Sequence, residues 1–456
     1  MTHVLIVSND IVRRAMGGAG IRNFELARAL AAAGLQVTLA AKGGTDMESL
    51  PFEVVDHDDA LLRALAARVD CVVGQGWVLE AYPYLRGGSV PLVVDLYDPF
   101  VLEGLPAHTG ASWPDRWNDH RGRARVLAEQ MRDGDFFLCA SERQRDYWLG
   151  ALSALGRINP ATYDDDDTLR SLIDVVAFGI PDEPPRQQRH ALRGVVPGIG
   201  ADDYLLLWGG GLWNWFDPLT LVRAVQVAAD RVPNLRLYFM AAPHPNPVVG
   251  EMDMAGRTRQ LAAELGLMGR HVFFNDRWID YAQRADYLLD ADCGVSTHPD
   301  HLETQFAFRT RLLDCVWAGL PVICTRGDTL ADLIAARGMG ITVPPESPEA
   351  LAEAIVAMAD SGRREGASAA LRGAAPEFHW SRVVEPLVRF CRAPRLAADR
   401  RTPPPAVEGP PAASPEARPL QRRIADRYRE DGALGIAAAM GRTAARAARR
   451  AAQRRG

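Results

Sequence analysis

The sequence predicts two doubly wound α/β domains, and three observations carry that expectation. Short apolar runs alternate with amphipathic helical stretches as far as a helical segment over 380–391. Most of the runs are continuous rather than alternating, the pattern of parallel strands covered on both faces. They fall into two series on either side of 179–200, a stretch carrying Pro181, Pro184, Pro185 and Pro197 beside charged residues, which reads as a linker.

In the first series, strands are expected at 4–8, 36–40, 71–75, 91–97, 136–140 and 174–178. Helices are expected at 21–33, 121–132 and 142–155. The second series has strands at 204–208, 235–240, 271–275, 293–297, 321–325 and 340–343. Its helices are expected at 218–231, 258–265, 281–289, 308–318, 330–337 and 348–359, with a last one over 380–391. Asp217-Pro218 is a favourable helix start, and Gly319 before Pro321 a favourable stop. The expected organisation is a first domain over 1–180, a linker over 181–200, a second domain over 201–379 and a closing helical segment over 380–393. A Pro/Ala-rich disordered tether over 394–419 and a basic helical tail over 420–456 follow. The four acids at 164–167 read as a solvated loop.

Composition narrows the function classes. With 48% hydrophobic and 24% charged residues the chain is globular, which excludes a wholly disordered protein. No apolar run reaches the roughly 18 residues of a membrane-spanning helix, and the apolar start at 4–7 is too short for a secretory leader, so a cytoplasmic protein is expected. Six widely spaced cysteines without a C-x-x-C pair read as buried reduced thiols. Residues 394–456 hold 14 Arg against 6 acids, a net of +8, so the first 393 residues carry −5 − 8 = −13. An acidic body with a basic tail argues against nucleic acid as the main partner. The tail suits an anionic membrane surface, or a solvated face with no partner. Lys42 is the single lysine, so other anion contacts fall to Arg, His or backbone N–H groups.

Four segments concentrate candidate chemistry. Gly17, Gly18 and Gly20 form a glycine-rich turn between the first strand and helix, where backbone N–H groups can meet an anion or the turn can simply be tight. Asp95, Tyr97 and Asp98 stand at the C-terminal end of a strand, the edge where open α/β sheets bind ligands. Asp98 is equally suited to capping the next segment. Gly209, Gly210 and Gly211 open the second domain, followed by Trp213 and Trp215, which suit either stacking on a ligand or closing a cleft. The fourth segment, 295–323, puts His298, Asp300, His301, Glu303, Arg309, Arg311 and Asp314 around a helix start. Arginine there opposes the helix dipole unless an anion such as a diphosphate sits with it. Arg277, just past the strand over 271–275, is a further donor-binding candidate. No metal ligand set is expected, since the two histidines lack a tight i,i+4 pair.

These segments resemble GT-B nucleotide-sugar glycosyltransferases, and glycosyltransferase family 4 in particular. The resemblance rests on Gly17-Gly18-Ala19-Gly20, on Gly209-Gly210-Gly211, on Asp314 with Ala318-Gly319-Leu320-Pro321-Val322, and on Trp380-Ser381-Arg382-Val383-Val384-Glu385-Pro386-Leu387. It implies two Rossmann-like domains facing across a cleft, with a nucleotide-sugar donor on the second and an acceptor mainly on the first. Transfer is then metal-independent, needs no cofactor beyond the nucleotide-sugar co-substrate, and retains configuration. The family's Glu-x7-Glu aligns its second acid with Asp314 and its first with Phe306, leaving Glu303 three residues early as the substitute sugar contact. Asp314 would hold the ribose. The Arg and Lys expected after the second-domain glycines are missing, so Arg309 and Arg311 would carry the diphosphate. The cleft histidine is replaced in register by Tyr97 or Asp95. The expected function is transfer to a glycan or lipid-linked acceptor in bacterial polysaccharide synthesis, with a degenerate scaffold as the alternative and an epimerase as a further one.

Overall fold

The computed structural model describes residues 1–403, apart from positions 108, 241, 242, 248 and 251. The first sheet has seven strands: β1 His3–Val7, β2 Gln36–Ala40, β3 Glu53–Val55, β4 Cys71–Gly74, β5 Leu92–Asp95, β6 Phe136–Cys139 and β7 Ile173–Val175. Their order is β3-β2-β1-β4-β5-β6-β7, and every pair is parallel. The second sheet has six: β8 Tyr204–Trp208, β9 Leu235–Phe239, β10 Val272–Phe274, β11 Cys293–Ser296, β12 Val322–Thr325 and β13 Gly340–Val343. Its order, β10-β9-β8-β11-β12-β13, is again all parallel. Both sheets are doubly wound, as expected from the continuous apolar runs. β1, β4, β5 and β8 are buried along nearly their whole length, which leaves no polar face for alternation to mark.

Each sheet reverses its winding between a pair of central strands: β1 and β4 in the first, β8 and β11 in the second. A ligand crevice opens at such a switch point, outside the carboxyl ends of the strands. The loops leaving β1, β5, β8 and β11 therefore point at the same space, and they are the four segments that carry the candidate residues.

Three local expectations change. The strand over 91–97 stops at Asp95, so Tyr97 and Asp98 belong to the turn beyond it. The helix expected over 308–318 begins at Thr310, and a separate short helix Leu302–Phe306 precedes it, with Ala307 extended between them, which turns Arg309 back onto that preceding helix. The closing helix is also two pieces, Trp380–Val383 and Glu385–Arg392, separated where Pro386 can supply no helical N–H. Trp380 packs on Phe178, ring centroids 5.2 Å apart, and Phe390 stacks on Phe136 at 4.7 Å, so this segment lies on the first domain.

The chain does not become a tether at 394. Ala397 is buried, and the short helix Ala398–Arg401 is fastened by Arg157–Asp399 at 2.7 Å and Arg400–Asp135 at 2.6 Å. Asp165, in the acidic run read as a solvated loop, takes both Arg395 and Arg401. The rest of the tether and the basic tail over 420–456 lie outside the described residues. No described helix is long and apolar enough to cross a membrane. All six cysteines are buried.

Candidate functional site

A cleft of about 1010 Å³ opens where the four loops converge. Its first-domain wall is built by Asp10, Gly18, Ala19, Tyr97, Asp98, Pro99 and Glu103. The helix Gly18–Ala32 begins without a side-chain cap. A Cβ on Gly17 would lie 2.2 Å from His244 Nε2, and one on Gly20 would lie 2.3 Å from the Ile11 carbonyl, so both positions need glycine for close approach. Gly18 meets nothing within 4 Å.

Asp95 does not reach the cleft. Both its oxygens are held by Arg22, at 2.5 and 2.9 Å, in an ion pair almost wholly buried under the Tyr97 ring. Asp98 and Glu103 do reach it. Glu103 comes from the helix Phe100–Ala107, and the two carboxyl groups hydrogen-bond each other. Burial pushes both pKa values up, Glu103 well above the usual range, with the neighbouring Asp98 adding to it. Desolvation also pushes the half-buried Tyr97 phenol up.

The second-domain wall is basic and aromatic. Arg309 is the residue before the helix Thr310–Ala318, and its guanidinium forks onto Glu303 at 2.9 and 2.7 Å. The exposures of the two side chains are 4% and 1%, so Glu303 presents no oxygen to the cleft as placed. Arg311, two residues on, is different. Its Nη2 donates to the Gly211 carbonyl at 3.1 Å, and its guanidinium lies over Phe216 at 4.0 Å and Trp208 at 4.6 Å. It has no carboxylate partner among the described residues, and its buried Nη1 has no hydrogen-bond partner at all. Burial, together with the like charge of Arg309, pulls its pKa down to about 9, which still leaves it charged at neutral pH.

Trp213 and Trp215 stack on each other at 5.4 Å and both line the cleft, so they close it and face it at once. Between them Asn214 reaches the Ala107 carbonyl of the first domain at 3.3 Å. Phe306, at the position where the family has its first acid, is also a domain contact. Its ring packs on Tyr147 at 4.7 Å, and its carbonyl accepts from Gln144.

The remaining candidates lie apart. His298 is buried against Asp328 at 3.1 Å and holds the start of the helix Thr329–Arg337 in place. Arg277 is exposed, away from the cleft lining. Asp314 pairs with Arg284 at 3.1 Å, outside the cleft lining. Sequence reasoning missed Asp10, Glu103 and His244. His244 could have been found by position, since it follows β9 as Asp98 follows β5. Glu103 gave no such signal, because only the turn at 96–99 brings its helix face round to Asp98.

Residues 205–361 match the family model described as Glycosyl transferases group 1. A curated D-inositol 3-phosphate glycosyltransferase from Jonesia denitrificans is 23% identical over 85% of this chain and 93% of its own length. Among solved structures, an Anabaena HepE protein in complex with UDP-glucose superposes with a TM-score of 0.61 at 15% identity, over 86% of this chain and all of that one. A sucrose-phosphate synthase from Thermosynechococcus elongatus gives 0.59 at 16%, over 86% and 98%. Two doubly wound domains line this cleft and residues 205–361 of the second match the group 1 glycosyltransferase model, so the chain has the GT-B fold of these glycosyltransferase structures.

Proposed function

We propose that the chain transfers a glycosyl group from a nucleoside diphosphate sugar on the second domain to a hydroxyl acceptor on the first. The observation that carries this reading is Arg311, a half-buried cation left without a counter-ion among the described residues at the mouth of a glycine loop. A buried charge is stable only when something answers it, and a diphosphate leaving group does so while gaining the charge stabilisation that bond cleavage needs. Arg309 contributes by position, since its own charge is already matched by Glu303. The adjoining surface formed by Trp213, His244, Phe274 and Trp278 offers ring faces suited to stacking on a nucleobase.

The finer assignments are part of the same proposal. Transfer without a metal or cofactor, retention of configuration, family 4 membership and a place in bacterial glycan synthesis follow from the resemblance. Asp314 reaches a ribose only by exchanging Arg284, and Glu303 reaches a sugar only by opening its pair with Arg309. The Jonesia protein is named for D-inositol 3-phosphate, which makes a phosphorylated cyclitol one acceptor to test. A second reading, binding without transfer, is favoured by the closed Glu303–Arg309 pair. Titration of the full chain with UDP, ADP and GDP, then donor turnover with and without acceptor, separates the two. Binding with neither hydrolysis nor transfer supports the second reading, and no nucleotide binding at all defeats both. Attraction of the 420–456 segment to an anionic membrane is testable by flotation, with residues 1–403 staying behind while the full chain rises with the liposomes.

A further inference from the structure

A second recess shares the helix Phe100–Ala107 with the cleft. Glu103 of that helix lines the cleft, while the next two residues, Gly104 and Leu105, line the recess. The other wall is the start of the long helix Trp113–Asp133, whose three- and four-residue spacing sets Trp113, Arg116, Trp117 and His120 on one face. A Cβ on Gly104 would fall 2.7 Å from the Arg123 side chain, so glycine lets the two helices approach this closely. The rings form a corner. Trp113 and Trp117 stand at 90° with centroids 5.9 Å apart, and His120 meets Trp117 at 80° and 5.8 Å. Arg121 lies over the Trp117 ring at 5.3 Å and restrains it. Even so, Trp113 is 66% exposed, Trp117 42% and Leu105 45%. Apolar side chains left open together mark a binding surface. The polar groups among them are unspent. Arg116 lies over Trp113 at 5.8 Å and has no carboxylate partner among the described residues, where the buried Nδ1 of His120 also has no hydrogen-bond partner.

We propose that this recess is a remote subsite for a glycan acceptor, in which a sugar ring beyond the one that reacts stacks in the Trp113–Trp117 corner. The inference rests on the transfer reading above, and it names the acceptor class as an oligosaccharide rather than a single ring. A pyranose has an apolar C–H face that lies flat on an aromatic plane, and a rim of hydroxyls that each donate and accept. The corner supplies the plane, and Arg116 and His120 supply hydrogen-bonding nitrogens for the rim. Neighbouring residues of one short helix face the two sites, so an acceptor chain seated in the recess can carry its end round Phe100–Ala107 toward Asp98. Energy from binding the distant ring then serves to position the reacting one. A lipid surface is the other chemistry that exposed tryptophans meet. Asp115 in the first turn and Asp119 beside the rings oppose an anionic leaflet, and a flat interface leaves the polar nitrogens of the recess unanswered.

The test measures binding of neutral glycans to the full chain without donor, taking linear tetraoses of glucose, mannose and galactose each against its own methyl glycoside. At least one tetraose should bind the wild type at least tenfold more tightly than its glycoside. In the Trp113→Ala, Trp117→Ala double variant that gain should fall at least tenfold, while UDP affinity stays within twofold. Phenylalanine at both positions should restore most of the gain. Should the double variant not fold, Trp113→Ala alone, which removes the more exposed ring, carries the test. A wild type in which no tetraose gains over its glycoside overturns the proposal, and so does a gain that survives loss of the tryptophans. Tryptophan-dependent binding to phosphatidylglycerol vesicles without any glycan gain assigns the recess to a membrane and overturns it as well. UDP titration reads the donor side separately. A tryptophan-dependent glycan gain in a chain that binds no UDP upholds the recess and defeats the donor reading.

Discussion

The two walls of the cleft are made from the same parts and end with opposite charge. Each presents an arginine and a carboxylate near the C-terminal ends of parallel strands, and each buries one such pair: Arg22 with Asp95 in the first domain, Arg309 with Glu303 in the second. What remains after pairing differs. The first wall keeps Asp98 and Glu103, and the second keeps Arg311. The candidate residues thus divide into charges that folding matches and charges that it leaves unmatched, and a motif alone does not distinguish the two. Arg309 and Arg311 are two positions apart, and only one of them is free to take an anion.

The sharpest way to break that comparison is to open one of the buried pairs. Glu303→Ala strands the Arg309 charge and should cost about 3–5 kcal/mol of unfolding free energy in urea. If stability instead holds and only turnover falls, Glu303 is acting on substrate and the matched/unmatched distinction fails. Arg311→Ala should do the reverse, weakening UDP binding by about 1.5–3 kcal/mol, or roughly 10- to 150-fold. Its melting temperature should not drop, because the variant removes a half-buried charge that has no counter-ion among the described residues. Equal UDP affinity in calorimetry would put the diphosphate elsewhere.

Where the walls touch, Gly17→Ala should drive a methyl into His244 and cost roughly 1–3 kcal/mol, with weaker turnover. His244→Ala in the same chain should recover part of the loss, and no recovery would mean that the contact is not what limits Gly17. The smallest effect concerns pH. Glu103 faces Asp98 and Glu303 across the cleft floor, with Arg309 opposing them, while Arg123 and Asp95 act on Asp98. Its folded pKa is raised, so its share of stability is full below the ordinary carboxyl range and is lost as pH rises. Glu103→Gln should therefore melt higher than wild type at neutral pH, and the gap should close on approaching pH 4.5, its ordinary value. A gap that does not change with pH would show that the Glu103 pKa is not raised.

Both sheets were legible because burial on two faces writes each central strand as an unbroken apolar run. β3 was not, since Glu53-Val54-Val55 is a half-buried edge of three residues with nothing to mark it. The helix Ser361–Ala374 was missed for a related reason, its Ala, Gly and Arg giving little apolar stripe. In the site, the loops were legible from their positions after strands. Pairing was not. Asp95 and Arg22 are 73 positions apart, and no local pattern tells that they meet. Glu303 and Arg309 are six apart, yet an unbroken helix would have carried Arg309 away from Glu303. The turn at Ala307 is what joins them.

The last described residues decide which half of the molecule can be held. The chain leaves the second domain, crosses at Trp380 and is locked to the first by Asp399 on Arg157 and Arg400 on Asp135. The 456 − 403 = 53 residues that follow carry 11 Arg against 5 acids. Asp399 and Arg400 therefore tie the last described turn of the chain to the half that bears Asp98 and Glu103, although the chain arrives there from the half that bears Arg311.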